Sequence, residues 1–389
     1  MLRTTSTERR GWRDKAAAEG FVFHSPAGGR YWREDARYEF TLREIERDIE
    51  APTAEIDAMV LDIVPDLLAD ELYLLRLGFD RTHWDWIAES WRRRDPSVYG
   101  RYDLAYDGRG PARLLEAQVD TPTTLYEAAV WQWGWLEDLI AAGGLPSDAD
   151  QFNSLHDKVV AGMAAALDRG IGPRLHLLCV GGHAEDLSNS AYVEDCARQA
   201  GLATALMPIA DLGWMPGVGF VDPSSRPVAA AWKLYPWEHL LREPYAEMLP
   251  HAETRWIEPP WKAILSTKAL LPALWAKHPG HPNLLAAFHD DDPRSAELGG
   301  DYVRKPIFGR EGANVEIVEG GRRTHALPGI HGDEPFVRQA RADLFRSPAG
   351  HAVLGSWIAD GQPAGIGIRE SSGPITGDDA CFVPHVILG

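Results

Sequence analysis

The stretch Arg101–Asp120, RYDLAYDGRGPARLLEAQVD, constrains this chain most, because its two alternating runs around a glycine-rich centre read as a β-hairpin. Asp107-Gly108-Arg109-Gly110-Pro111 supplies the permissive backbone of a short turn. Alternation puts Arg101 and Asp103 on one face of the first strand, and Glu116, Gln118 and Asp120 on one face of the second. A loop of 108–111 sets Asp103 opposite Glu116 and Arg101 opposite Gln118. Two carboxylates and an amide oxygen then converge beside an arginine, a donor set suited to a hard cation such as Mg²⁺ shared with phosphate oxygens. The same residues also read as an exposed strand face with cross-strand ion pairs. The continuation favours the first reading. Thr124 and Glu127 have capping-box spacing, and Glu127 opens an apolar helix through Trp131 and Trp135, so the acidic cluster sits beside a helix start.

A chain of 389 residues with 45% hydrophobic content can bury a large core in two or three packed subdomains. Its net charge of -18 argues against nucleic acid and against an anionic membrane surface as partners, and suits a cationic substrate such as a polyamine. Cys179, Cys196 and Cys381 have neither metal-ligand nor CxxC spacing and read as reduced thiols. The start, MLRTTSTERRGW, has no apolar core, and no apolar run reaches bilayer length; a cytoplasmic protein is expected.

Residues 1–100 read as mainly helical, with segments at Trp12–Gly20, Thr41–Ala51, Thr53–Leu72 and Arg81–Arg94, and with Pro65 splitting the third. His83 and its neighbouring tryptophans read as packing. After helices within 125–168, the apolar run Arg174–Val180, a helix at Ala191–Gly201 and a strand at Ala203–Ile209 form a doubly wound β-loop-α-β unit. Its loop Gly181–Asp186 is a candidate substrate loop, since ligands bind at the C-terminal ends of such strands. A strand Val228–Trp232 follows. Lys268 lies in the apolar stretch 263–275, either snorkelling or aimed at a fixed anion.

Residues 302–314, YVRKPIFGREGAN, give a strand ending at Lys305 and a loop with Gly309 and Gly312 around Arg310. Such a loop brings backbone N–H groups close to phosphates, or closes an ordinary hairpin; it is not a P-loop. The run 334–340 has strand character and carries Gln339 towards an adenine edge. A last hairpin about Asp360-Gly361 delivers Arg369, which pairs a surface carboxylate or stabilises a transferred phosphoryl group.

In order and spacing, RYDLAYDG with LLEAQVDTPT, WKLYPWE, STKALLPALW, YVRKPIFGREGAN and GIGIRES resemble the synthetase portion of the glutathionylspermidine synthases, over nearly the whole of 1–389. The resemblance implies an α+β or α/β chain with a permuted, glutathione-synthetase-like ATP-grasp fold, and an ATP-dependent carboxylate–amine ligase. It divides the chain into a helical region 1–100, a metal-binding hairpin and helix 101–150, a pre-ATP-grasp-like α/β subdomain 170–215 on the substrate side, and nucleotide-binding lobes 250–389. By position, Asp103, Glu116 and Gln118 are implied Mg²⁺ ligands, and Lys268 and Lys305 the ATP-phosphate lysines. Gly309, Gly312 and Asn314 fall in the phosphate loop, Gln339 faces adenine, and Arg101 and Arg369 hold the acyl phosphate and the developing oxyanion. ATP, Mg²⁺ and small-molecule acid and amine substrates are the implied ligands.

Two departures stand out. The family has asparagine where this chain has Gln118, which displaces the amide oxygen by about one C–C bond, and Mg²⁺ demands near-octahedral geometry. The Cys/His amidase segment of the bifunctional members is not matched here, so amide hydrolysis is not expected. Two rival readings stand beside the ligase: a catalytically silent ATP-binding sensor or partner subunit, and a phosphotransferase on the same fold.

Overall fold

Pro65 shows how the sequence cuts the helical first quarter. In the computed structural model, which describes residues 1–25 and 29–389, Ala51–Asp62 stops ahead of Pro65. Val64–Ala69 restarts with the proline in its first turn, where a missing N–H costs no helical hydrogen bond. Asp70 caps Glu71–Leu77 by accepting from the Tyr73 N–H at 3.0 Å, and Asp80 caps Arg81–Arg92 through Thr82 at 2.9 Å. His83 is buried against the Ala246 carbonyl at 2.9 Å, a packing residue as expected. The strands Leu2–Thr5 and Ala36–Phe40 interrupt the helical pattern and pair with each other, and Ala36–Phe40 pairs on its other edge with His385–Ile387, joining the two ends of the chain in one sheet.

The apolar run Arg174–Cys179 lies inside a four-stranded parallel sheet, in the order Arg255–Ile257, Ala230–Leu234, Arg174–Cys179, Ala203–Pro208. Cover on both faces explains its lack of alternation. The crossover helix is Ala184–Gln199, so it starts earlier than the expected Ala191 and takes Glu185 and Asp186 into its first turn, where carboxylates oppose the positive end of the helix dipole.

Two larger antiparallel sheets follow, besides the small pair Gly213–Met215 and Gly219–Val221. One has the order Cys381–Val383, Gln362–Ser371, Gly350–Ala359, Tyr99–Ala105, Arg113–Gln118, with Phe345–Ser347 alongside Gly350–Ala359. The other runs Ala287–His289, Phe336–Ala340, Tyr302–Pro306, Glu316–Glu319, Arg322–Ala326. The first hairpin has the expected register: Asp103 faces Glu116 and Arg101 faces Gln118. Cys179, Cys196 and Cys381 are all free. Among the described residues no helix is long and apolar enough to cross a membrane.

The capping box is a correction. Thr124 has φ +69° and its Oγ1 accepts from Arg101 at 3.3 Å, while the Glu127 carboxylate accepts from the Tyr31 hydroxyl. Asn189, far along the chain, supplies the cap: its Oδ1 accepts from the N–H groups of Leu125 at 3.1 Å and Tyr126 at 3.4 Å. The tertiary partner displaces the local one.

Candidate active site

A cavity of about 570 Å³ opens between the two antiparallel sheets. Strand alternation puts Arg101 and Asp103 of one strand, and Glu116 and Gln118 of its neighbour, on the cavity side. Arg101 grips Asp103 through Nε at 2.6 Å and Nη2 at 3.1 Å, and donates to the Thr123 carbonyl at 2.7 Å. Arg369, from the Gln362–Ser371 strand, adds a bond to Asp103 at 2.8 Å. Gly355 lies beneath Arg101, where a Cβ would come within 2.7 Å of the arginine Cδ.

The lysines enter from the opposite side. Lys268 stands in the turn before the helix Leu270–Lys277, 2.8 Å from Glu116 Oε2, and donates to the Gly309 carbonyl at 2.6 Å. Lys305, buried on its strand, donates to Gln339 Oε1 at 2.7 Å and to the Leu115 carbonyl at 3.0 Å. Burial pushes the Lys305 ammonium down to about 8, against the pull of Glu116. Burial alone would raise Glu116, but Lys268 and Lys305 hold it well below the usual carboxylate range. Apolar side chains, Leu115, Val303, Ile317, Leu344 and Val353, line another part of the same cavity.

Not every expected residue arrives as expected. Asn314 does not line the cavity; its Oδ1 accepts from the His331 N–H at 2.8 Å, so its side chain braces the glycine-rich loop from behind. Gln339 borders the cavity, but its side chain is consumed by Lys305 and by a bond to the Leu114 carbonyl at 2.9 Å; it orients the lysine. Gln118 points its Nε2 at Glu116 Oε1, 3.3 Å away. Gly309 and Gly312 both border the cavity, and Gly312 has φ +70° with no room for a Cβ against the Thr376 carbonyl at 2.8 Å.

The structure adds residues to which the sequence reading gave no role in the site. Arg310 lines the cavity between the two glycines. Glu311 also lines it, pushed up to about 7 by its hydrogen bond with Asp378 and by burial. Glu127 is fully buried and pushed up to about 8 by that burial and by Glu185, which in turn feels Arg369 and Arg101. Glu185 stands in the Gly181–Asp186 stretch already marked as a substrate loop. Glu127 had no local signal of this kind, because its neighbours come from distant segments.

The family model described as glutathionylspermidine synthase preATP-grasp matches residues 3–388. The chain belongs to that family. A Haemophilus influenzae protein assigned as an acid–amine ligase is 36% identical over 380 residues, with 95% of each chain covered. The trypanothione synthetase of Crithidia fasciculata is 28% identical over 370 residues, covering 89% of this chain and 55% of that protein. The bifunctional glutathionylspermidine synthetase/amidase of Escherichia coli is 26% identical over 323 residues, covering 75% and 50%. The chain thus spans about half the length of these last two relatives. A glutathione synthetase-like effector of Globodera pallida superposes with a TM-score of 0.57 at 11% identity over 98% of both chains, so the mixed α/β fold is shared. Family membership carries the enzyme class, an ATP-dependent carbon–nitrogen ligase.

Proposed function

We propose that this family member joins a peptide or amino-acid carboxylate to a cationic amine, a polyamine being the type case, with MgATP as energy source, on a permuted ATP-grasp frame. The observation that carries the reading is one cavity in which Lys268, Lys305 and Arg310 bring cationic charge to one region, while Glu311, with Glu185 and Glu127 nearby, brings carboxylates to the side of Arg369. The first region suits a triphosphate and the second an ammonium group.

In the first step a carboxylate oxygen attacks the γ-phosphorus, the bond to the β-γ bridging oxygen breaks, and ADP leaves with an acyl phosphate formed. In the second the neutral amine attacks the acyl carbon, phosphate leaves, and the amine's surplus proton passes to a base. Lys268 and Lys305 neutralise phosphate charge, while Arg101 and Arg369 hold the acyl oxygens. Asp103, Glu116 and the Gln118 amide oxygen would hold Mg²⁺. They are hard oxygen donors of one hairpin face, and the ion, when bound, supplies charge neutralisation at the phosphates. Both carboxylates carry cationic partners here: Arg101 and Arg369 on Asp103, and Lys268 on Glu116.

The test is ADP release from MgATP with pooled carboxylates and amines, read with product masses. The expected result is ADP formation that requires both partners and a product lighter than their sum by one water. ADP formation with a phosphorylated product would point to the phosphotransferase, and ATP binding without turnover on any pool would favour the silent binding protein.

A further inference from the structure

The WKLYPWE stretch, Trp232–Glu238, is not used in the chemistry above, yet its residues reach both walls of the cavity. Lys233 is fully buried at the end of its parallel strand, with Nζ 2.5 Å from Asp120 Oδ1 and 4.2 Å from the ring centre of Trp237. The Trp237 N–H donates to the other Asp120 oxygen at 2.7 Å. Asp120 begins the Thr121–Thr123 turn that lines the cavity and whose Thr123 carbonyl holds Arg101. This wall is thereby fixed.

The next residue, Glu238, faces the other wall. It is 3% exposed and accepts from Arg310 Nη2 on the glycine-rich loop. Burial would raise the Glu238 carboxyl; Arg310 outweighs that and keeps it low. Such a pair is costly to break from one side, because a buried charge is then left alone. Arg310 Nε is buried and has no partner, so part of the guanidinium is uncommitted beside the cavity it lines. The loop is also held by the Lys268 bond to the Gly309 carbonyl, by the Asn314 brace, by the Ala313 N–H bond to the Arg310 carbonyl at 2.8 Å and by the Asn314 N–H bond to the Leu327 carbonyl at 3.0 Å; of these contacts, the Glu238 pair is the one that holds the guanidinium.

We infer that Glu238 is a positioning residue for nucleotide: it sets the Arg310 guanidinium, and with it the Gly309–Gly312 loop, at a fixed place relative to the Asp120 turn, so that the phosphates meet a cation already aimed. Trp237 and Glu238, adjacent in sequence, thus register the substrate wall against the nucleotide wall. The inference rests on the nucleotide reading of the cavity, not on the identity of the acid or amine.

The experiment is a double-mutant cycle on the full chain, read as MgATP affinity by calorimetry and as steady-state ADP formation. Glu238→Gln is expected to weaken MgATP about tenfold, the scale of one charge-assisted hydrogen bond. It should raise KM for ATP and leave KM for the amine unchanged. Arg310→Ala should weaken MgATP at least as much, and the double variant should be no worse than Arg310→Ala alone. Trypsin should cut after Arg310 faster in Glu238→Gln than in the unmodified chain. Equal ATP affinity and equal cleavage in Glu238→Gln, or losses that simply add in the double variant, would overturn the inference. If Glu238→Gln does not fold, replacing both residues by methionine removes both charges together, and its MgATP affinity is compared with Arg310→Met; a weaker double variant overturns the inference. Absence of MgATP binding to the unmodified chain sinks both the nucleotide reading and this role. An intact cycle without any amide product leaves the positioning role standing and rejects the ligase reading.

Discussion

The ammonium of Lys268 lies 2.8 Å from the Glu116 carboxylate, and the same ammonium holds the Gly309 carbonyl at 2.6 Å. One side chain therefore joins the acidic hairpin to the glycine-rich loop. Lys268→Met should weaken MgATP by about tenfold or more, the magnitude expected for a lost charge-assisted contact, and should leave the fold intact because Lys305 still faces Glu116. Calorimetric titration with MgATP, alongside circular dichroism, checks both halves.

Arg369 has a different expected signature. It touches Asp103 at 2.8 Å and feels the carboxylates Glu185 and Glu311. Arg369→Ala should keep MgATP affinity within a few-fold and lower turnover by about two to three orders of magnitude, as for loss of one preorganised transition-state partner. Full activity in this variant would sink its assignment.

Gly355 offers a test that changes no charge. A methyl group there meets the Arg101 side chain at 2.7 Å and must displace it. Gly355→Ala is expected to reduce kcat about tenfold or more, the sensitivity of a site to small misplacement, while ATP affinity changes little. Steady-state kinetics with ATP and acid varied separately distinguish the two.

Lys305 should make nucleotide binding pH-dependent. Its ammonium, held down to about 8 by burial, is charged below that pH and progressively neutral above it. MgATP affinity should therefore be level below pH 8 and fall by up to about tenfold per pH unit above it, with net proton uptake on binding. Calorimetry in buffers of different ionisation enthalpy measures that uptake, and Lys305→Met should abolish it.

His385 should govern acid stability. Its Nε2 accepts from the Phe152 N–H at 3.1 Å and its Nδ1 sits 3.0 Å from Gln132 Oε1, which leaves no place for a second proton. Burial lowers its pKa from 6.5 to about 3 in the folded chain. Between those values the unfolded chain binds the extra proton, so the contribution present above pH 6.5 is lost as pH falls towards 3, at up to about 1.4 kcal/mol per pH unit. Urea unfolding across pH 4–7 should show this slope, reduced in His385→Asn.

The sequence by itself determined what depends on short-range pattern. Alternation and turn chemistry placed Arg101 and Asp103 opposite Gln118 and Glu116, Pro65 cut the helix, and the order of motifs carried the family. Those signals are legible because period-2 geometry, proline's missing N–H and glycine's freedom act within a few residues. Tertiary structure decided the rest. Thr124 lost its local cap to Asn189, Asn314 turned to His331, and Gln339 was taken by Lys305, because a buried polar group takes the partner that the packed chain supplies, whatever its distance in sequence. The coupling of Glu127 with Glu185 and the Glu238–Arg310 pair have the same origin: burial strengthens charge interactions between segments that only the fold brings together.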